Sequence, residues 1–202
     1  MRTFSTLFIV MLWSLGLLAQ EQKIFSGGVY AGMSTSQLSG DQLAGFKKAG
    51  LYGGAFVNFH FTEKSAMQME LSYIQKGSRY VSKTMGLLYA VNLQYFEMPI
   101  LYKWQFSKRF GLEAGPALGY LIKTTDVEKN AYGILYPSRP AFNRLDLSVM
   151  GGFSVRLVER VKFNIRFSQS VLPVRKHASG AVYRLNRGQY NSVVALTLHL
   201  EL

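Results

Sequence analysis

Apolar residues recur at every second position in eight stretches between Ile24 and Leu202, and the intervals between those stretches alternate long and short. The long intervals are 34–49, 75–88, 123–142 and 171–188; the short ones lie near 62–64, 106–108 and 158–160. Period two is the mark of strands, because successive side chains leave opposite faces. Alternating long and short connections describe an antiparallel meander with one plain rim and one elaborate rim. That is the layout of an outer-membrane barrel. The expected fold is therefore all-β: an eight-stranded antiparallel up-and-down transmembrane barrel. An even strand count puts both termini with the short periplasmic turns and leaves the long loops extracellular.

The N-terminus is read separately. Arg2, the apolar run Leu7 to Leu18 and the small residue Ala19 before Gln20 predict a secretory signal peptide over residues 1–19, followed by one barrel domain over 20–202. No other apolar run reaches the length of a membrane-spanning helix. The chain has no Cys, which excludes a disulfide scaffold and thiolate metal sites.

Alternation alone also fits a soluble barrel, so the decision rests on which face is apolar. One face carries Leu, Val, Ile, Phe and Met without charge: Met67, Met69 and Leu71; Leu145, Leu147 and Val149; Leu196, Leu198 and Leu200. The other carries glycines and the charges Glu70, Glu97, Lys103, Glu113, Asp146, Arg156, Lys162 and Arg166. An eight-stranded barrel is only wide enough inside for its own side chains. The charged face is therefore expected to fill the lumen as a paired network, with the uncharged face toward hydrocarbon. Aromatic residues stand where interfacial girdles belong: Phe59, Phe61, Trp104, Phe106 and Phe110 by the short turns, Tyr120 and Tyr190 by the long loops. The fourth segment is irregular. Val91, Leu93 and Tyr95 fall opposite the face shared by Phe96, Met98, Ile100, Tyr102 and Trp104, which implies a bulge near Tyr95-Phe96 or an upper half clear of the membrane. Pro99 cannot donate to a ladder, so one pairing beside it should be interrupted.

Several segments resemble the PorT-like outer-membrane β-barrel proteins of Bacteroidota. They are Gly27 to Gly32, Met69 to Gly77 with its Glu70-Leu-Ser-Tyr73-Ile-Gln-Lys76-Gly77 run, Tyr95-Phe-Glu97-Met-Pro99 extending to Lys103, and Gly111 to Gly119. The resemblance covers essentially all of the chain beyond the expected signal peptide. It implies an outer-membrane address, and for some members a part in protein secretion across that membrane. It brings no catalytic motif.

His177-Ala178-Ser179 superficially resembles the His-x-Ser of lipid A deacylases, but Leu172 to Leu200 contains no Asp or Glu to orient the imidazole. His60, His199 and Glu201 share the polar face near the short-turn end, where a metal site is conceivable but lumen filling is the simpler reading. No catalytic, cofactor or metal residue is assigned. The expected function is a non-enzymatic structural or accessory barrel of the cell envelope, with a lipid-modifying acyl hydrolase as the alternative.

Charge is concentrated in the long intervals. They hold Lys76, Arg79 and Lys83 in the second and Arg175, Lys176, Arg184 and Arg187 in the fourth. Such a basic rim suits outer-membrane lipid and the phosphates of lipopolysaccharide, or is simply solvated. Envelope proteins are the other expected partners, and the outer-membrane address argues against nucleic acid.

Overall fold

A computed structural model describes residues 24–39, 45–82, 87–130, 133–135, 140–176 and 188–202. The expected signal peptide lies outside them, as do His177, Ser179, Lys83, Arg184 and Arg187.

Nine strands follow in order: β1 (Phe25–Ser39), β2 (Lys48–Thr62), β3 (Ser65–Ser82), β4 (Leu87–Trp104), β5 (Phe110–Asn130), β6 (Gly133–Leu135), β7 (Leu145–Val158), β8 (Val161–Ser170) and β9 (Tyr190–Glu201). Eight of them close a barrel. Each pairs antiparallel with its chain neighbour, β5 with β7, and β9 returns to β1. The three-residue β6 pairs only with the far end of β5. No helix is present among the described residues.

Short connections join the strands at one end, at Glu63-Lys64, at 105–109 and at Glu159-Arg160. This is the turn end; the opposite end is the loop end. Outward positions along β4 and β9 are apolar and open, from Phe96 to Trp104 and from Leu196 to Leu200. Inward positions between them are buried.

The irregular fourth strand combines both sequence readings, with a register shift beside Tyr95 and an upper half that continues beyond the belt. Val91, Leu93 and Tyr95 keep the same inward parity as Glu97 and Leu101, and all are buried, so β4 does not switch faces. The register shift lies on its partner. Gln94 pairs with Lys123 and Tyr95 with Leu121, leaving Ile122 bulged out of β5. What changes near Tyr95 is the chemistry of the interior. Toward the turns the inside is mainly polar, with one small apolar cluster of Leu101, Ala117 and Met150, and the outside is apolar. Toward the loops much of the inside is apolar, with Leu38, Ile74, Val91, Leu93, Val174 and Val193 packed together beside the buried Ser36, Lys76 and Ser78. That is the pattern of a water-soluble barrel, in which burial, not lipid, sets the apolar face.

Strand lengths agree with this inversion. β3 and β4 each run 18 residues and β5 runs 21, against the roughly 9–11 that a tilted strand needs to cross hydrocarbon. The surplus stands at the loop end. Strand therefore extends into three of the four long intervals: β3 continues to Ser82, β1 to Ser39 and β5 to Asn130, whereas β8 stops at Ser170. Both prolines of the central wall leave their marks. The β3–β4 ladder skips Met98 and Pro99, and the β4–β5 ladder skips Ile100 and Leu101 opposite Gly115-Pro116.

Candidate functional site: a charged lumen and its two ends

Arg166 on β8 is the hub of the lumen. Its Nε donates to Glu113 Oε1 at 2.7 Å, and Nη1 and Nη2 donate to the two oxygens of Glu70 at 2.8 Å each. Nη1 also reaches the Tyr52 hydroxyl at 2.6 Å. β3, which carries Glu70, lies four strands from β8 in either direction around the barrel. The guanidinium thus crosses the full diameter, using the fork geometry that makes arginine suited to two carboxylates at once. Tyr30 donates to Glu70 Oε2 at 2.6 Å and Gln68 donates to Oε1. Lys103 completes the cluster, 3.6 Å from Glu113 Oε2 and donating to Gln68 Oε1 at 2.7 Å. Gly152 makes room for it, since a Cβ there would lie 2.8 Å from Glu113 Oε1.

A second cluster sits nearer the loops. Lys76 Nζ is 2.5 Å from Glu97 Oε1 and 3.0 Å from Asp146 Oδ2, with all three side chains inaccessible. The ammonium also lies 5.1 Å from the centre of the Tyr95 ring, and Asn191 donates to Asp146 at 2.9 Å. Lys76 is therefore not a residue of a basic outer loop, as its place in the 75–88 interval implied. It lies on the inward face of β3, and it is the cation that balances Glu97 and Asp146.

Arg175 needs the same correction. It is buried, donating from Nη1 to Asp126 at 2.7 Å and from Nε to Gln189 at 2.9 Å, with its guanidinium 3.8 Å from the Phe142 ring centre. Backbone bonds from Val174 to Gln189, from Asn143 to Val174 and from Gln189 to Arg175 tie this segment across the loop end. Arg175 is a clasp over the apolar cluster. Arg79 and Lys176 are exposed there, and Lys47 stands 5.7 Å above the Tyr80 ring.

At the turn end Lys162 pairs with Glu201 at 2.9 Å. Ser26 Oγ donates to Glu201 at 2.7 Å, lies 2.9 Å from His60 Nε2 and accepts from Asn58 at 3.1 Å. The carboxylate thus engages the hydroxyl and a lysine, not the imidazole, so these groups do not form an acid–histidine–serine relay. His199 is held apart from His60, stacked on Tyr30 at 4.6 Å and bonded to Thr197 at 3.0 Å. No group of three or more His, Asp or Glu side chains suited to a metal ion occurs among the described residues. Arg156 has no acidic partner among the described residues, and its buried Nε has no hydrogen-bond acceptor.

Tyr30, Tyr52, Gln68 and Asn191 complete the network without carrying charge, so a search for charged positions passes over them. The signal that finds them is parity: each occupies an inward register position.

The described lumen is filled from side to side, which fits a barrel whose interior is structural. The family model of the outer membrane protein beta-barrel domain matches residues 18–174. Among solved structures, the attachment invasion locus protein Ail of Yersinia pestis is similar at 9% identity, with a TM-score of 0.52, over 88% of this chain and 98% of that one. Neisserial surface protein A is similar at 8% identity, with a TM-score of 0.51, over 86% and 96%. No curated protein matches the chain in sequence. With the family match spanning most of its length and the closed barrel shared with those structures, the chain belongs to the outer membrane protein beta-barrel domain family and resides in the outer membrane of a Gram-negative bacterium.

Proposed function

We propose that this protein is a non-enzymatic accessory barrel of the PorT-like kind, serving an envelope process such as protein secretion through contacts made by its loop end. In this reading the turn end faces the periplasm, the loop end faces outward, and a leader over residues 1–19 directs export. The observation that carries it is the closure of the interior. Arg166 crosses the lumen to Glu70, and the apolar cluster under Arg175 seals the loop end. A filled barrel has no channel to offer, so its specific chemistry belongs to its ends. Exposed Arg79, Lys176 and Lys47 at the loop end suit the phosphates of lipopolysaccharide.

Co-purification after mild cross-linking of native membranes tests the reading. Recovery with other envelope proteins supports it, and recovery as a lone barrel contradicts it. Mass spectrometry of lipid A from cells with and without the gene addresses the acyl-hydrolase alternative. An unchanged lipid A profile is expected; a changed acylation pattern would establish an enzyme.

A further inference from the structure

We propose that the turn end of the barrel holds a binding site for a phosphate-type oxyanion, built around Arg156. The site is separate from the loop-end contacts above, and the orientation given there bears only on where the ligand comes from.

A cavity of about 60 Å³ opens inside the barrel mouth at this end. At roughly 15 Å³ of such volume per water, it has room for about four waters or one small tetrahedral anion. His60, Lys64, Lys103, Arg156 and Lys162 line it, against Glu63 as the sole carboxylate of the lining. Ala66 and Gly111 keep the space open by being small.

The charge around this cavity is unbalanced. Lys162 has Glu201 at 2.9 Å and Lys103 has Glu113 at 3.6 Å. Glu113 is more tightly held by Arg166, at 2.7 Å, which leaves Lys103 weakly compensated. Arg156 has no carboxylate among the described residues. It also stands directly across the β7–β8 ladder from Lys162. Like charges in facing positions repel, and a buried guanidinium nitrogen without an acceptor is costly. Elsewhere in this lumen each cation has its acid: Arg166 has Glu70 and Glu113, Lys76 has Glu97 and Asp146. A tetrahedral oxyanion in the cavity would supply acceptors to the Arg156 fork and offset the Arg156–Lys162 repulsion in one step.

Two sources share this chemistry: free phosphate, and the phosphodiester of a lipid headgroup at the membrane edge. The test uses the full barrel refolded in an uncharged detergent, with folding verified by heat-modifiable gel migration. Inorganic phosphate is titrated in one arm and dihexanoyl phosphatidylglycerol in the other, each followed by ³¹P NMR at constant ionic strength. Saturable binding in at least one arm is expected, and the arm that saturates names the source. R156Q should weaken it by roughly tenfold or more. A66L, which fills the cavity without changing charge, should abolish it and carries the test if R156Q does not fold. K176Q at the opposite end should leave it unchanged. Absence of saturable binding in both arms overturns the proposal, as does equal binding by the unaltered chain, R156Q and A66L.

Discussion

The Lys76 ammonium and the Glu97 carboxylate meet at 2.5 Å with neither side chain exposed to solvent, and Asp146 shares the same ammonium at 3.0 Å. Removing the cation alone would strand two carboxylates inside the barrel. Lys76→Met is expected to lower stability by about 3–5 kcal/mol, because an uncompensated buried charge is costlier than no charge at all. Urea unfolding of the barrel in lipid vesicles measures it. The triple variant K76M/E97Q/D146N should recover most of the loss, and a triple variant no more stable than K76M would show that the charges are not coupled.

The Arg166 hub should be graded in the same assay. Tyr30→Phe deletes one hydrogen bond to the Glu70 carboxylate and is expected to cost about 1.5–3 kcal/mol. Arg166→Met leaves Glu70 with only the neutral donors Tyr30 and Gln68 and Glu113 with only the more distant Lys103, and should cost at least as much as Lys76→Met, about 3–5 kcal/mol. Equal, small effects from the two would contradict a diameter-spanning clamp.

The inversion of polarity along β4 predicts a positional contrast. Met98 points outward within the apolar belt. Met98→Arg should destabilise by about 2–4 kcal/mol, as charge does near the middle of a lipid-facing strand. Gln94 alternates with the inward Leu93 and Tyr95 on the same strand, beyond the belt, and Gln94→Arg should stay within about 0.5 kcal/mol of the unaltered protein. The comparison is made in the same vesicles, and equal penalties at both positions would place the belt wrongly.

Gly77 sits in β3 at a φ of +137°, and a Cβ there would fall 2.0 Å from the Val91 carbonyl oxygen. Gly77→Ala is expected to destabilise by about 1–3 kcal/mol through a strained backbone and a displaced β4. Gly133 has a similar φ of +140° but open space around it, so Gly133→Ala should carry the conformational penalty alone and cost less.

These residues also show what the sequence made legible. Below Tyr95 the charges face inward and the outer face is apolar, with Leu101, Ala117 and Met150 as inward apolar exceptions, so eight strands and their inward charges could be read from alternation. Above it the interior turns largely apolar while still enclosing Lys76, Ser36 and Ser78. Val91 and Leu93 are apolar because they are buried in the interior, while Asn92 and Gln94 are polar because they face away from it. A reading tuned to lipid-facing apolar residues therefore leaves the face of Val91 and Leu93 unsettled, takes the 75–88 interval for loop and misplaces Lys76 with it. Arg175 was illegible for another reason. Its acid, Asp126, is on β5, and only the folded loop end brings the two within 2.7 Å. Arg156 was read as one more member of a balanced network, since the distances that pair Lys162 with Glu201 and Arg166 with Glu113 have no sequence signature.

The proposed orientation, with turns inside and loops outside the outer membrane, is directly testable by labelling. Because the chain has no Cys, single cysteines report cleanly on that arrangement. Arg79→Cys at the loop end and Lys64→Cys in the β2–β3 turn are both exposed positions. A membrane-impermeant maleimide applied to intact cells should label the cysteine at position 79 and spare the one at 64, which becomes reactive only after the outer membrane is permeabilised. Labelling of position 64 on intact cells with protection of position 79 would contradict the account.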